Sequence, residues 1–292
     1  MIDCHCHILP GEIVKDVKRY GSLDPHFGLL TRTKKARFTT GDDLLADMAE
    51  HPLDKAVVFG FAFKEIGISR LVNDYVASMC KNHPDRFVGL AVFDPESKGA
   101  MKEAERALSI GLKGFGELFP AGHGFDLCGK AMGHLAGLAR DAKVPLLIHV
   151  NEQVGHMYPG KGRIGPREAY EFACANPDVT VIFAHLGGGL PFFYLMDEVR
   201  KLRNVYYDTA AQPFLYLPEV YRSMKLSGAL DWILLGSDYP LLSWTRYLRD
   251  LSRSGLIDDD INKVTGKNAN KVFGRFFLSQ KEGNQLTEKN RL

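Results

Sequence analysis

Short apolar runs recur along the chain, separated by stretches with helical periodicity. The runs fall at 2–8 (IDCHCHI), 55–62 (KAVVFGFA), 86–93 (RFVGLAVF), 111–119 (GLKGFGELF), 144–150 (VPLLIHV), 180–186 (TVIFAHL), 205–211 (VYYDTAA) and 231–238 (DWILLGSD). Several are nearly continuous in apolar residues, the pattern of strands covered on both faces of a parallel sheet. Between them, 42–51, 68–82 and 131–142 place apolar residues three and four apart, the helical period. After the first interval, the runs begin about 25–36 residues apart, one strand–helix unit each. Residues 9–40 form an excursion before the first helix. Eight alternating units predict a (β/α)8 TIM barrel spanning 1–278 as one domain. A doubly wound open sheet stays open as an alternative, because strand count alone does not show closure. Residues 279–292 are polar and aperiodic, and read as a frayed tail.

The composition is that of an ordinary globular chain: 292 residues, 45 % hydrophobic, 25 % charged, formal net charge +2. That balance argues against nucleic-acid binding by bulk positive charge. No apolar run approaches the roughly 20 residues of a membrane-spanning helix. The opening MIDCHCHILP lacks the basic and apolar regions of a secretory signal, and five cysteines suit reduced thiols. A cytoplasmic location is the expectation. The apolar 191–196 (PFFYLM) serves either a homo-oligomer interface or the inner side of a helix.

Candidate chemistry begins at His5-Cys6-His7. Alternation along a strand puts His5 and His7 on one face and Cys4 and Cys6 on the other, so the two imidazoles can converge on one metal ion. A structural Cys2His2 zinc site fails, since four adjacent alternating residues cannot close a tetrahedron. His149, His185 and Asp238 end the fifth, sixth and eighth runs, and Glu117 ends the fourth. In a barrel all of them reach the C-terminal rim, where active sites are built. One buried histidine is usually a hydrogen-bonded core residue; four histidines and an aspartate at strand ends are a set of metal-ligand types.

This arrangement resembles the amidohydrolase superfamily, in the branch that includes aminocarboxymuconate-semialdehyde decarboxylase and related metal-dependent hydrolases. The likeness runs from the H-x-H at 5–7 to Asn268-Ala269. It implies that His5, His7, His149 and Asp238 hold a divalent metal, with His185 beside it acting on substrate or water. Two-metal members carry a bridging lysine or, less often, glutamate on the fourth strand; Glu117 is the better candidate and Lys113, four residues earlier on the same face, the weaker. Adenosine deaminases of the same superfamily resemble the chain in having a glutamate three residues after the fifth-strand histidine, which makes Glu152 a candidate proton donor. As a loop acid bonded to backbone, it would have no such role.

The loop 155–167 carries His156, Lys161, Arg163 and Arg167, suited either to an anionic substrate or to solvent. Gly187-Gly188-Gly189 lacks nucleotide-fingerprint spacing and reads as a tight turn close to the site. Asp208 is expected to hydrogen-bond structurally, and Phe59, Phe61 and Trp232 to pack the barrel. The leading expectation is hydrolysis of a small carboxylated ester, lactone or amide by a metal-activated water, with Asp238 as base. The cofactor would be one or two divalent ions, foremost Zn2+, with Mn2+, Fe2+ and Co2+ as alternatives. Non-oxidative decarboxylation on the same site is the alternative reaction. A non-catalytic metal-binding barrel is the alternative class.

Overall fold

The computed structural model describes residues 1–33, 36–158 and 160–277; the polar tail expected at 279–292 lies outside the described residues, as does the domain end at 278. Each of the eight runs contains a strand: β1 (Ile2–His7), β2 (Lys55–Phe59), β3 (Phe87–Gly89), β4 (Phe115–Leu118), β5 (Leu146–Ile148), β6 (Val181–Phe183), β7 (Val205–Asp208) and β8 (Ile233–Leu234). All neighbouring pairs are parallel and consecutive. The ladder forms two sectors, β1-β2-β3 and β4 to β8. Single bridges join them, Ala91 to Phe115 on one side and Cys6 to Tyr239 on the other. Cys4 N donates to Leu235 O at 2.7 Å and His7 N to Tyr239 O at 2.8 Å, so the first and last strands meet. The sheet closes into a (β/α)8 barrel, and the open doubly wound sheet is excluded.

The strands are shorter than their apolar runs, and mostly at the C-terminal side. There the chain leaves the ladder to carry side chains onto the rim. Residues 42–51, 68–82 and 131–142 belong to helices Gly41–Ala49, Ile66–Asn82 and Lys130–Ala142. Thr40 and Asp43 cap the first of these reciprocally, satisfying amide groups that a helix start leaves unpaired. The excursion holds three short helices, Gly11–Lys15, Val17–Leu23 and Pro25–Thr31. Among the described residues no helix is long and apolar enough to cross a membrane. The cysteines at 4, 6, 80, 128 and 174 are all free thiols.

One expectation about β4 changes. The strand begins at Phe115, so Lys113 precedes it at the opposite end of the barrel from the rim. Its side chain lines a surface cavity with Cys80 and Phe276. Four residues of extended chain would have put it on the face of Glu117, but the chain is not yet in the strand at 113.

Asn268 secures the last unit. It is fully buried, and its Nδ2 donates to Leu230 O and Ile233 O, both at 2.9 Å, tying the closing helix Asn268–Phe273 to the start of β8. Asn268→Leu is expected to lower unfolding free energy by about 2–4 kcal/mol, because it strands two buried carbonyls. Urea unfolding followed by circular dichroism measures this; a midpoint equal to wild type would contradict it.

Candidate active site

At the C-terminal mouth, His5 and His7 project side by side from β1. Each ring nitrogen away from the mouth has a partner: His5 Nδ1 lies 2.9 Å from Asp208 Oδ2, and His7 Nδ1 lies 3.3 Å from Gly60 O. Both partners are acceptors, so both Nδ1 atoms carry a proton and both Nε2 atoms are turned toward the mouth; burial opposes protonation of His5, but Asp208 and Glu117 raise its pKa well above the usual value. Those two Nε2 atoms face each other at 3.2 Å. Two imidazole nitrogens held that close need a positive charge between them, a proton or a metal ion that displaces it. Asp238 Oδ1 is 3.6 Å from His5 Nε2 and 3.4 Å from His7 Nε2, and Glu117 Oε2 is 3.6 Å from each. With ligand bonds of about 2.0–2.2 Å, two ligands on one tetrahedral ion stand about 3.4 Å apart. The donor set and its spacing therefore fit a divalent metal.

Glu117 has a second face. Its Oε1 lies 2.7 Å from His149 Nδ1 and 3.4 Å from His185 Nε2. The orientation of Asn151 fixes the His149 tautomer. Its Oδ1 accepts from Gly162 N at 2.8 Å, so its Nδ2 points at His149 Nε2, 3.1 Å away. His149 thus accepts at Nε2 and donates from Nδ1 to Glu117. The structure groups His149 with Glu117 and His185, and His5 with His7 and Asp238. The resemblance had implied His149 within the latter set.

Burial shapes the charges. In Glu117 desolvation opposes ionisation, but His149 and His5 outweigh it and hold the carboxyl well below its usual range. Asp238 is also desolvated, yet His7, His5 and His185 keep it ionised, at about 2. Burial disfavours protonation of His185, but Glu117 and Asp238 raise it to about 9. For His149 burial dominates and its pKa falls.

The backbone is bent to place two of these groups. His185 and Asp238 lie just past β6 and β8, and both have φ of +57°, a conformation that costs a non-glycine residue about 1–3 kcal/mol. Asp208, fully buried at the end of β7, accepts from His185 N at 3.0 Å as well as from His5. Its expected structural role is therefore one of aiming two imidazoles. The glycine turn follows at once: Gly188 has φ +62°, and a Cβ there would stand 2.3 Å from Asn151 O, so the close approach to the site requires glycine.

Asp3 escaped the sequence reading, although it continues the alternation of His5 and His7. It is fully buried and takes bonds from Trp244 Nε1 (2.6 Å), His5 N and Ser237 N (both 3.0 Å), and from Ser237 Oγ. It fixes the turn that presents Asp238. Asn151 and Tyr158 were also missed; nothing in their loop marks them out.

Glu152 does not join the cluster. Lys161 Nζ pairs with it at 2.9 Å and Tyr158 Oη donates to it at 3.1 Å, so its charge is answered within the loop. Lys161 is thereby occupied, and it also donates to Val154 O and His156 O. Arg167 pairs with Glu171 on the surface, while Arg163 and His156 are exposed. Phe59 packs beneath both histidines and Trp232 against Tyr206, as expected of barrel packing. Phe61 differs: it stacks on His7, with centroids 4.2 Å apart and planes 3° from parallel, and forms part of the pocket wall. The pocket over the cluster has a volume of about 140 Å³, and Phe61, Phe119, Leu30 and Tyr158 line it with the ligand-type residues.

The amidohydrolase family model matches residues 2–275, and the chain belongs to that family. Comparison with curated proteins returns no match. Among solved structures, the chain is similar to 5-carboxyvanillate decarboxylase from Sphingomonas paucimobilis, with 16% identity, 94% of this chain and 98% of that chain covered, and a TM-score of 0.73. It is also similar to a dihydroxybenzoic acid decarboxylase from Polaromonas sp. JS666 with bound manganese and the inhibitor 2-nitroresorcinol (17%, 94% and 96%, TM-score 0.67). A third is an uncharacterized TIM-barrel protein from Bordetella bronchiseptica (15%, 94% and 98%, TM-score 0.65).

Asp208→Asn is expected to weaken divalent-metal affinity about 10–100-fold while the fold persists, because His5 loses the acceptor that sets its tautomer. Competition with a chromophoric chelator reads the affinity. The double variant His5→Ala/His7→Ala should lose the ion at this site altogether, as measured by elemental analysis. Wild-type affinity in Asp208→Asn would mean that this carboxylate does not aim His5.

Proposed function

We propose that this protein is a metal-dependent non-oxidative decarboxylase of a small, planar aromatic carboxylate. The observation that carries this reading is the pocket: ligand-type residues form its floor and aromatic side chains its walls. Its volume of about 140 Å³ matches a single ring; a cavity of roughly 150 Å³ holds a benzene molecule. Support also comes from the relatives, two of which are named for decarboxylation of carboxylated phenols. The hydrolysis that the sequence put first rests on superfamily membership alone. The non-catalytic barrel has little in its favour, because ligands, an ionised carboxylate and a proton-bearing histidine are all present.

His5, His7, Asp238 and Glu117 would hold the ion, and His149 would act through its bond to Glu117. When bound, a divalent ion supplies Lewis-acid polarisation and orientation of substrate oxygens. Manganese is our preferred metal over the zinc first expected, on the precedent of the Polaromonas relative and because two carboxylates in the set suit a harder ion. A second ion between Glu117, His149 and His185 is the two-metal form of the same site.

Phe61 and Phe119 fix the plane of the substrate ring and keep water from its face. Asp238 stays ionised and is unsuited to donate a proton. His185 carries one at Nε2 and lines the pocket. As the bond to the carboxyl carbon breaks, CO2 leaves, the electron pair stays with the ring carbon, and that carbon takes the proton of His185. Solvent then restores the proton.

With 2,6-dihydroxybenzoate or 5-carboxyvanillate as substrate, CO2 release is expected, with one solvent deuteron at the product carbon and no solvent oxygen-18. Mass spectrometry in labelled water decides between the readings: no CO2 from either benzoate, together with solvent oxygen-18 in the product of a carboxylated ester or lactone, would restore the hydrolase. His185→Asn should lower kcat by about 10²–10⁴-fold while sparing metal content.

The pH dependence follows from the raised pKa of His185. The proton is present below that value and lost above it, so kcat/KM should decline on a basic limb. The carboxylates alone set that limb at about 9, and a bound cation, which opposes protonation, moves it lower. The limb should vanish from the residual rate of His185→Asn; an unchanged limb there would remove His185 as the proton donor.

A further inference from the structure

A second gathering of ligand atoms lies beside the mouth. Asp24, His26 and His123 each offer one donor atom, all within 4.8 Å of one another. They come from separate parts of the chain. Asp24 and His26 belong to the excursion after β1, and His123 ends the short helix Pro120–His123 after β4.

The side chains of Asp24 and His123 are each 1% exposed, and His26 is buried. His123 Nε2 stands 3.7 Å from Asp24 Oδ2. That is too long for a hydrogen bond, but close to the separation of about 3.4 Å between two ligands of one tetrahedral ion. His123 Nδ1, His123 Nε2 and His26 Nδ1 find no hydrogen-bond partner among the described residues. A buried polar group without a partner costs about 1–3 kcal/mol, and an ion bound here would satisfy one nitrogen of each imidazole. Asp24 accepts from Phe27 N at 2.9 Å through one oxygen and from Lys64 N at 3.0 Å through the other. Each carboxylate oxygen keeps a further lone pair, so these bonds hold the ligand in place without using it up.

We propose that Asp24, His26 and His123 bind a divalent transition-metal cation of the Zn2+ type, at a site separate from the mouth cluster. Two imidazoles and a carboxylate, all buried, make a set of borderline donors suited to that ion. The cation ties the excursion to the loop after β4. It also acts on the pocket wall, because His26 itself lines the cavity and Phe119 stands between His26 and His149. The Phe119 ring centroid is 4.3 Å from that of His26 and 4.0 Å from that of His149. Holding His26 holds Phe119, and with it the shape of the cavity. This site does not depend on which reaction the mouth cluster performs.

Elemental analysis of purified full-length protein tests the assignment. His26→Gln/His123→Gln should carry one equivalent of metal less than wild type, whatever the wild-type total, and His5→Ala/His7→Ala should keep that equivalent. A second measurement covers failure of the first variant to fold. Chelator-stripped His5→Ala/His7→Ala/Glu117→Gln, in which neither group of ligands at the mouth is intact, titrated with Co2+, should take up one equivalent and develop visible d–d absorption. The same protein with Asp24→Asn and His123→Gln added should develop none. Wild-type metal content in His26→Gln/His123→Gln, or no Co2+ absorption in the protein with the three ligands intact, would overturn the site and leave a buried Asp–His pair in its place.

Discussion

The mouth of this barrel is organised by the carboxylate of Asp208. It sits fully buried at the end of β7, reaches His5 across the barrel, and accepts the amide of His185 from the neighbouring strand. One consequence is chemical: with a proton of His5 held at Nδ1, its Nε2 must face His7. The other is geometric: the chain at 185 is held in a left-handed turn that would otherwise relax. Neither residue is fixed by its own strand alone. The alternation of β1 brings His5 and His7 together, but their tautomers come from acceptors that lie more than fifty residues away in sequence.

Around that centre Glu117 divides two kinds of work. One oxygen faces the converging Nε2 atoms of His5 and His7, and the other faces the N–H groups of His149 and His185. The same carboxylate can therefore complete a cation site and hold a protonated imidazole nearby. Asp238 lies on the cation side, where neighbouring histidines keep it ionised, and His185 on the other, where two carboxylates keep it protonated. Opposite protonation states within one small pocket set out one group as an acid and another as a base.

Much of this was legible in the sequence, for a physical reason. Strands buried on both faces must be apolar, so a histidine or aspartate at the end of such a run stands out, and His5, His7, His149, His185 and Asp238 did. Closure of the barrel was not legible, because the first and last strands pair through a few bonds near Leu235 and Tyr239 that no local pattern announces. Nor was the partitioning of His149, which depends on Asn151 and in turn on Gly162. Glu152 has the right spacing from His149, but spacing cannot reveal that Lys161 neutralises it. Asp24, His26 and His123 lie in the excursion and in a rim helix, without periodicity to mark them, and only the fold brings them together.

The ring of strands is not uniformly stitched. A three-strand sector and a five-strand sector meet at two seams, each held by one isolated bridge and a few backbone hydrogen bonds rather than by a continuous ladder. His5 and His7 belong to the smaller sector, while Glu117 and Asp238 belong to or follow strands of the larger. Any cation that these four share spans the division. Its binding energy then enters the free energy of separating the sectors, since opening a seam removes half of its ligands. Occupancy of the centre and cohesion of the barrel are thus thermodynamically linked, and amide exchange along the two seams is where that linkage becomes measurable.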